Sequence, residues 1–168
     1  MYPINYCVCC GSPMVDREIF SAVRRVCAEC GFVHFRDPKV AVVVVIQNEG
    51  QLLLVKRKFN PEKGKWALPA GYVNALEDPR SAAVREAYEE TGLSVEIEQL
   101  LDVLYNPPAP DGQPSGASIV ILYSARVIGG ILEAKDDAEE VGWFKSDTLP
   151  EIAFESTWQA VRLWLKTS

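Results

Sequence analysis

The sequence holds a single histidine, His34, set in the apolar run GFVHF. A chemistry that needs an imidazole base therefore has one candidate, which disfavours Ser-His-Asp and Cys-His-Asn arrangements. Positive charge is also scarce: 17 Lys and Arg stand against 23 Asp and Glu, a formal net charge of -6. Broad nucleic-acid binding rests on many cationic contacts to phosphate, so this balance argues against it. Long apolar runs are missing. The longest, AVVVVI at 41–46, is far below the roughly 20 residues of a membrane helix. No basic-then-apolar leader opens the chain, so no secretory signal is expected. Low-complexity tracts and internal repeats are absent too. These absences predict a cytoplasmic protein with no membrane role and no general affinity for nucleic acid.

What is present fits one good core and a small appendage. The chain has 168 residues, 48% hydrophobic and 24% charged, ordinary values for a globular protein. All five cysteines precede residue 31. Four of them form two pairs, Cys7-x2-Cys10 and Cys27-x2-Cys30, with sixteen residues between the pairs and a glycine (Gly11, Gly31) after each. That double spacing fits a tetrahedral four-thiolate zinc ribbon. A chain that turns its amides toward the sulfurs calls for positive φ, which glycine supplies. Cys9 chelates less well beside Cys10 and reads as a free thiol. With four sulfurs available zinc does not need His34, which reads as a packed residue. The basic Arg17, Arg24 and Arg25 are interspersed with Asp16, Glu18 and Glu29, so no clean basic face emerges. Pro38, in RDPK at 36–39, separates ribbon from body.

In the body, VAVVVVI predicts a strand buried on both faces. NEGQ at 48–51 predicts a turn, with LLLVKR as hairpin partner. A long loop is expected from Phe59 to Glu77, anchored by Trp66 and Leu68. Asp78 and Pro79 announce a helix that Gly92 ends, with Ala83, Val84, Ala87 and Tyr88 as its apolar side. Strands are expected near 94–105 and 117–127, with the Pro- and Gly-rich NPPAPDGQPSG between them. A short strand is expected after Gly129 and Gly130, and another at VGWF. A last helix is expected from Ser156, burying Trp158, Val161, Leu163, Trp164 and Leu165. The order gives an α/β (α+β) class with a mixed sheet between helices.

The first helix contains REAYEE, residues 85–90. Glu86, Glu89 and Glu90 lie on one side of it, within an arc of about 100°, where like charges repel. Their flanks give the reason. GYVNALEDPRSAAVREAYEETGL, residues 71–93, resembles the Nudix box, G-x5-E-x7-R-E-U-x-E-E-x-G-U with U apolar. It does so at every defined position, although Ala87 is small for the first U. WALPAG before it is similar to the family's lead-in. A cysteine ribbon, a linker ending in PK and a valine-rich strand ahead of the box resemble the zinc-ribbon Nudix hydrolases.

The resemblance implies a zinc ribbon at 1–36 and a Nudix hydrolase domain at 37–168. It implies hydrolysis of a nucleoside diphosphate linked to another moiety, with Mg²⁺ or Mn²⁺ on the glutamates and Zn²⁺ on Cys7, Cys10, Cys27 and Cys30. Glu86, Glu89 and Glu90 are the implied metal ligands, with the backbone carbonyl of Ala70 as a further candidate. Arg85 and Glu77 are the implied pair that holds loop to helix. Candidates for the general base are Glu139, Glu140 or a glutamate of the box. Arg57 is a candidate phosphate contact. ADP-ribose or FAD is the expected substrate, ahead of NADH, whose subgroup motif is missing. Pro107 and Pro108, some fifteen residues past the box, resemble the ADP-ribose-cleaving subgroup. The alternatives are a ligand-binding regulator whose ribbon contacts DNA or protein, and a pyrophosphohydrolase of nucleoside triphosphates or RNA caps. A homodimer is the expected assembly.

Overall fold

A computed structural model describes residues 4–106 and 119–167. The chain divides into two units, Met1–Pro38 and Lys39–Ser168. The expected loop at Pro107 and Pro108, and the start of the strand expected from 117, lie outside the described residues.

The first unit is a three-stranded antiparallel sheet, β1 (Met14–Ile19), β2 (Ala22–Cys27) and β3 (Val33–His34). Its core is small: Cys7, Met14 and Cys27, with Ile4 and Phe32 packed against them. Gly11 and Gly31 both adopt φ 75°. Their amides return to Cys7 O at 2.9 Å and Cys27 O at 3.1 Å, closing the two turns that present the thiols. The interspersed charges do sort by face, against expectation. Arg17 stands opposite Arg24, while Asp16 stands opposite Arg25 and Glu18 opposite Val23. Strand alternation sends these two sets to opposite faces.

The second unit is built on a seven-stranded mixed sheet. Its strands are β4 (Val40–Asn48), β5 (Gln51–Arg57), β6 (Trp66–Ala67), β7 (Ala70–Tyr72), β8 (Leu93–Tyr105), β9 (Ile119–Gly130) and β10 (Ala138–Phe144). The spatial order is β10-β5-β4-β9-β8, with β6 on β5 and β7 on β4. β4 runs parallel to β9 and antiparallel to β5 and β7. Central position explains its unbroken β-branched run: Val42 to Ile46 are all buried. Val43 and Val45 join Leu52, Leu54, Val161 and Trp164 under helix α2 (Glu155–Thr167). Val42, Val44 and Ile46 join Leu53 and three alanines of helix α1 (Pro79–Thr91). Each such side chain contributes about 1.5–3 kcal/mol by leaving water, so a charge at Val44 would break both the sheet and its fit to α1. Glu49 (φ 48°) and Gly50 (φ 73°) make the hairpin turn, the two positive values of a type I′ connection.

The helix α1 starts as its sequence demands. Asp78 caps it by accepting from Arg80 N at 2.8 Å and Ser81 N at 3.3 Å. Pro79 follows, and Gly92 ends it in the left-handed conformation at φ 71°. Ala82, Ala83 and Ala87 are fully buried, so the helix lies close on the sheet. Tyr88 departs from expectation and is exposed, under Lys135. Leu165 of α2 is also exposed. The expected loop 59–77 contains β6 and β7, because short stretches of it find strand edges on β5 and β4. Between Gly130 and β10 no further strand forms. The amides of Glu133 and Lys135 instead donate to Thr91 O and Glu90 O at 2.9 and 3.1 Å, satisfying carbonyls that a helix end leaves open. No described helix is long and apolar enough to cross a membrane.

Candidate active site

The loop before α1 is clamped to the helix by one arginine. Arg85 Nε donates to Glu77 Oε1 at 2.7 Å and Nη2 to Glu77 Oε2 at 2.9 Å. Nη2 also donates to the carbonyl of Tyr72 at 3.0 Å, and Asn74 N donates to Glu77 Oε2 at 2.9 Å. The fork geometry suits a guanidinium and not an ammonium. Arg85 pulls the Glu77 carboxyl down to about 2, with the Asn74 amide assisting. The carboxylates in turn hold Arg85 firmly charged, Glu77 foremost.

The remaining guanidinium nitrogen faces the helix glutamates. Arg85 Nη1 donates to Glu86 Oε1 at 2.6 Å and to Glu89 Oε2 at 3.0 Å. Glu86 lies against Gly71, where a Cβ would fall 2.0 Å from the Glu86 Cδ. Gly71 is therefore glycine to leave space for a carboxylate, not for backbone freedom. Burial raises the Glu86 carboxyl above its ordinary range, against the opposing pull of Arg85.

Glu90 is the most enclosed of the three, 8% exposed. Its Oε2 accepts from Ala70 N at 3.1 Å. Burial pushes its carboxyl up to about 8. The Ala70 amide and Arg57 oppose this, while Glu86 and Asp137 add to it. The β4–β7 ladder explains the free amide. Its bonds run through Val73 N to Val40 O and Val44 N to Pro69 O, leaving Ala70 at a non-bonded position. In an antiparallel pair the N–H and C=O of one residue share an edge, so the Ala70 carbonyl points away from β4 along with its amide.

Sequence reasoning missed Asp137. Lys58 N donates to Asp137 O at 3.0 Å and Lys135 N donates to Glu90 O at 3.1 Å. The turn between them, with Asp136 at φ 46°, thus hangs between β5 and the end of α1. Across that turn the charge of Asp137 adds to the upward push on the Glu90 carboxyl. The sequence signal available was DD at 136–137, which reads as an ordinary turn. Arg57 is held by its Nε bond to Pro61 O at 2.9 Å and lies over the ring of Phe154 at 4.8 Å. Glu139 and Glu140 are paired with Lys56, at 3.8 and 3.4 Å. Lys56 shares a strand face with Leu54 and Leu52, which face α2, so its contacts with Glu139 and Glu140 belong to the side of the sheet opposite α1.

In the first unit four thiols converge. The sulfurs of Cys7, Cys10, Cys27 and Cys30 lie within 4.8 Å of one another, and Cys7–Cys30 and Cys10–Cys27 are each 3.5 Å apart. A tetrahedron of sulfurs at about 2.3 Å from zinc has edges of about 3.8 Å. The backbone and hydroxyl of Ser12 bring the Cys10 thiol down to about 6. At Cys30 the Phe32 amide lowers the value, but the three neighbouring cysteines outweigh it and push it up to about 12. Four such groups ionise together only around a cation, and soft sulfur donors suit zinc. Cys9 is exposed and stands outside the group.

The Nudix family model, described as the NUDIX domain, matches residues 36–163. The chain belongs to the Nudix hydrolase family. An ADP-ribose pyrophosphatase of Methanocaldococcus jannaschii is 45% identical over 121 residues, 72% of this chain and 70% of that protein. The NAD-capped RNA hydrolase NudC of Stutzerimonas stutzeri is 30% identical over 150 residues, 88% of this chain and 50% of that protein. Among solved structures, a NUDIX hydrolase from Nitrosomonas europaea superposes with a TM-score of 0.85 at 29% identity, covering 97% of this chain and 91% of that one. This Nudix hydrolase accordingly acts on a nucleotide-linked diphosphate.

Proposed function

We propose that the protein is a divalent-cation-dependent pyrophosphatase of ADP-ribose or FAD, releasing AMP and a second phosphate ester. The observation that carries the reading is the seating of Glu86 against Gly71 and of Glu90 against the Ala70 amide. It fixes two carboxylates one helical turn apart, with Glu89 beside them. Hard oxygen donors of this kind fit Mg²⁺ or Mn²⁺. When bound, the cation offsets the charge of the diphosphate and lowers the pKa of the attacking water. Glu86, Glu89 and Glu90 hold it, with the Ala70 carbonyl and Asp137 as further oxygens. Arg85 orients Glu86 and Glu89, and Glu77 orients Arg85. Arg57 meets a phosphate oxygen. The name of the archaeal relative supports ADP-ribose. The same reading gives a homodimer and a structural Zn²⁺ on the four cysteines.

The test is a chromatographic assay of ADP-ribose, FAD, NADH, nucleoside triphosphates and capped RNA with Mg²⁺, on wild type and Glu90→Gln. AMP release from ADP-ribose or FAD, lost in the variant, is expected. No turnover of any substrate would overturn the reading, and full activity in the variant would overturn the ligand assignment.

A further inference from the structure

The ribbon carries a surface that the hydrolysis reading does not use. At the tip of the β1–β2 hairpin, Phe20 and Ser21 have φ of 51° and 58°, a left-handed conformation in which a bulky residue is an outlier. The Phe20 ring stands 69% exposed and Phe35 50% exposed. Their centroids are 6.1 Å apart and their planes 21° from parallel. The Arg24 guanidinium carbon lies 5.2 Å from the Phe35 centroid and 5.9 Å from that of Phe20. Arg24 Nη1 is fixed by the carbonyls of Ile19 and Phe20.

Strand register supplies the charge. Arg17 faces Arg24 directly across the ladder, an arrangement that like charges ordinarily disfavour. The strand residues Asp16, Glu18, Arg25 and His34 fall on the other face, where Arg25 pairs with Asp16 at 3.3 Å. Among the described residues no carboxylate pairs with Arg17 or Arg24. One face of the ribbon sheet thus offers two exposed rings and two cations, with no acid among its strand residues, in a chain of net charge -6.

We propose that this face binds single-stranded nucleic acid, its bases stacking on Phe20 and Phe35 and its phosphates meeting Arg17 and Arg24. Unstacked bases on aromatic rings, with guanidinium groups beside them, are the chemistry by which such strands are held. A net acidic chain still accommodates this, because strand register separates the arginines from Asp16 and Glu18.

The test is fluorescence anisotropy of a labelled 12-nucleotide oligoadenylate with the full chain, magnesium omitted. Binding at low salt is expected to weaken with a log–log slope of about −1.4 for two phosphate contacts. Arg17→Gln should reduce that slope by about 0.7. Phe20→Gly with Phe35→Ala should weaken binding by about 10-fold or more. Neither should change turnover of a free dinucleotide, so this proposal and the hydrolase reading fail separately. Circular dichroism checks that the variants stay folded. No binding at low salt, equal binding by the aromatic variant, or equal binding of a matching duplex would each overturn the proposal. So would a change in sedimentation of the aromatic variant with oligonucleotide binding intact, which would mark the face as a contact between copies.

Discussion

In the ribbon four thiols converge on a core of Cys7, Met14, Cys27, Ile4 and Phe32. In the body, the glutamates of α1 rest on a helix packed into a cluster that runs from Val42 to Ala125. Both sites gather groups that repel when ionised. The ribbon has almost no apolar burial to oppose that repulsion. The body has two layers of it, and Arg85 besides. On the proposed reading a cation is therefore part of the fold in the first unit, and only part of the site in the second. The donors divide the same way: soft sulfur for a closed structural position, hard oxygen for an exchangeable one.

The largest effect should come from removing the zinc proposed for the ribbon. Structural zinc contributes apparent binding free energies of about 10–16 kcal/mol in zinc-finger peptides. Cys27→Ser, or strong chelation, is expected to unfold residues 4–38 and leave the body's melting transition in place. Limited proteolysis with mass mapping reads this directly. A ribbon still resistant after chelation would erase the contrast between the two units.

Next in size is Gly71→Ala. The added Cβ falls 2.0 Å from the Glu86 carboxylate carbon, so Glu86 must leave its seat. A misplacement of about 1 Å costs about 100-fold in rate. The expected result is that loss in kcat with a nearly unchanged Tm. Weakened Mn²⁺ binding, read by electron paramagnetic resonance, separates a displaced ligand from a general loss of fold. Arg85→Lys should follow, with activity lower by about 10-fold and Tm down by several degrees. An ammonium cannot reproduce the fork to Glu77 while also reaching Glu86 and Glu89.

The two units also differ in how much of them the sequence disclosed. Cysteine spacing and the Gly71-to-Leu93 pattern are short-range features of the sequence, and the structure brings the side chains of each together. The cap, the helix ends and the central strand were legible for the same reason: each is set by neighbours in sequence. Asp137 was not, because its relation to Glu90 passes through Lys58 and the end of α1. The sorting of Arg17 and Arg24 away from Asp16 and Glu18 needed a register, which composition does not contain. Tyr88 and Leu165 were misread because helical periodicity shows an apolar stripe but not how far the sheet beneath it extends.

A pH titration of the metal-free body should show two opposed slopes. Glu77 is held down to about 2 by Arg85, below an unfolded value near 4.3. Its contribution is present above about pH 4.3 and is lost as pH falls toward 2. Glu90 is pushed up to about 8 by burial, so the folded state binds its proton more tightly than the unfolded chain. Stability therefore falls as pH rises from about 4.3 to 8. Glu90→Gln should reduce the upper slope to the part that Glu86, also raised by burial, contributes, and Arg85→Gln should flatten the lower one, in urea melts across pH. An upper slope unchanged by Glu90→Gln would assign the effect to another group.

The smallest effects should come from Glu139 and Glu140. Both pair with Lys56, at 3.8 and 3.4 Å, and their side chains are 48% and 59% exposed. Exposed ion pairs of this kind contribute little, so Glu139→Gln and Glu140→Gln should each shift stability by no more than about 0.5 kcal/mol. The test bears on catalysis as well, since both residues were base candidates on sequence alone. Their shared lysine lies on the strand face that looks toward α2, whereas the charge of Asp137 acts on Glu90. Asp137→Asn is accordingly expected to lower kcat and weaken Mn²⁺ binding, while the two glutamine variants keep both. A loss of about 100-fold in Glu139→Gln or Glu140→Gln, with Asp137→Asn active, would return the base to β10. It would also require that strand to bring a carboxylate round its edge to α1 during turnover.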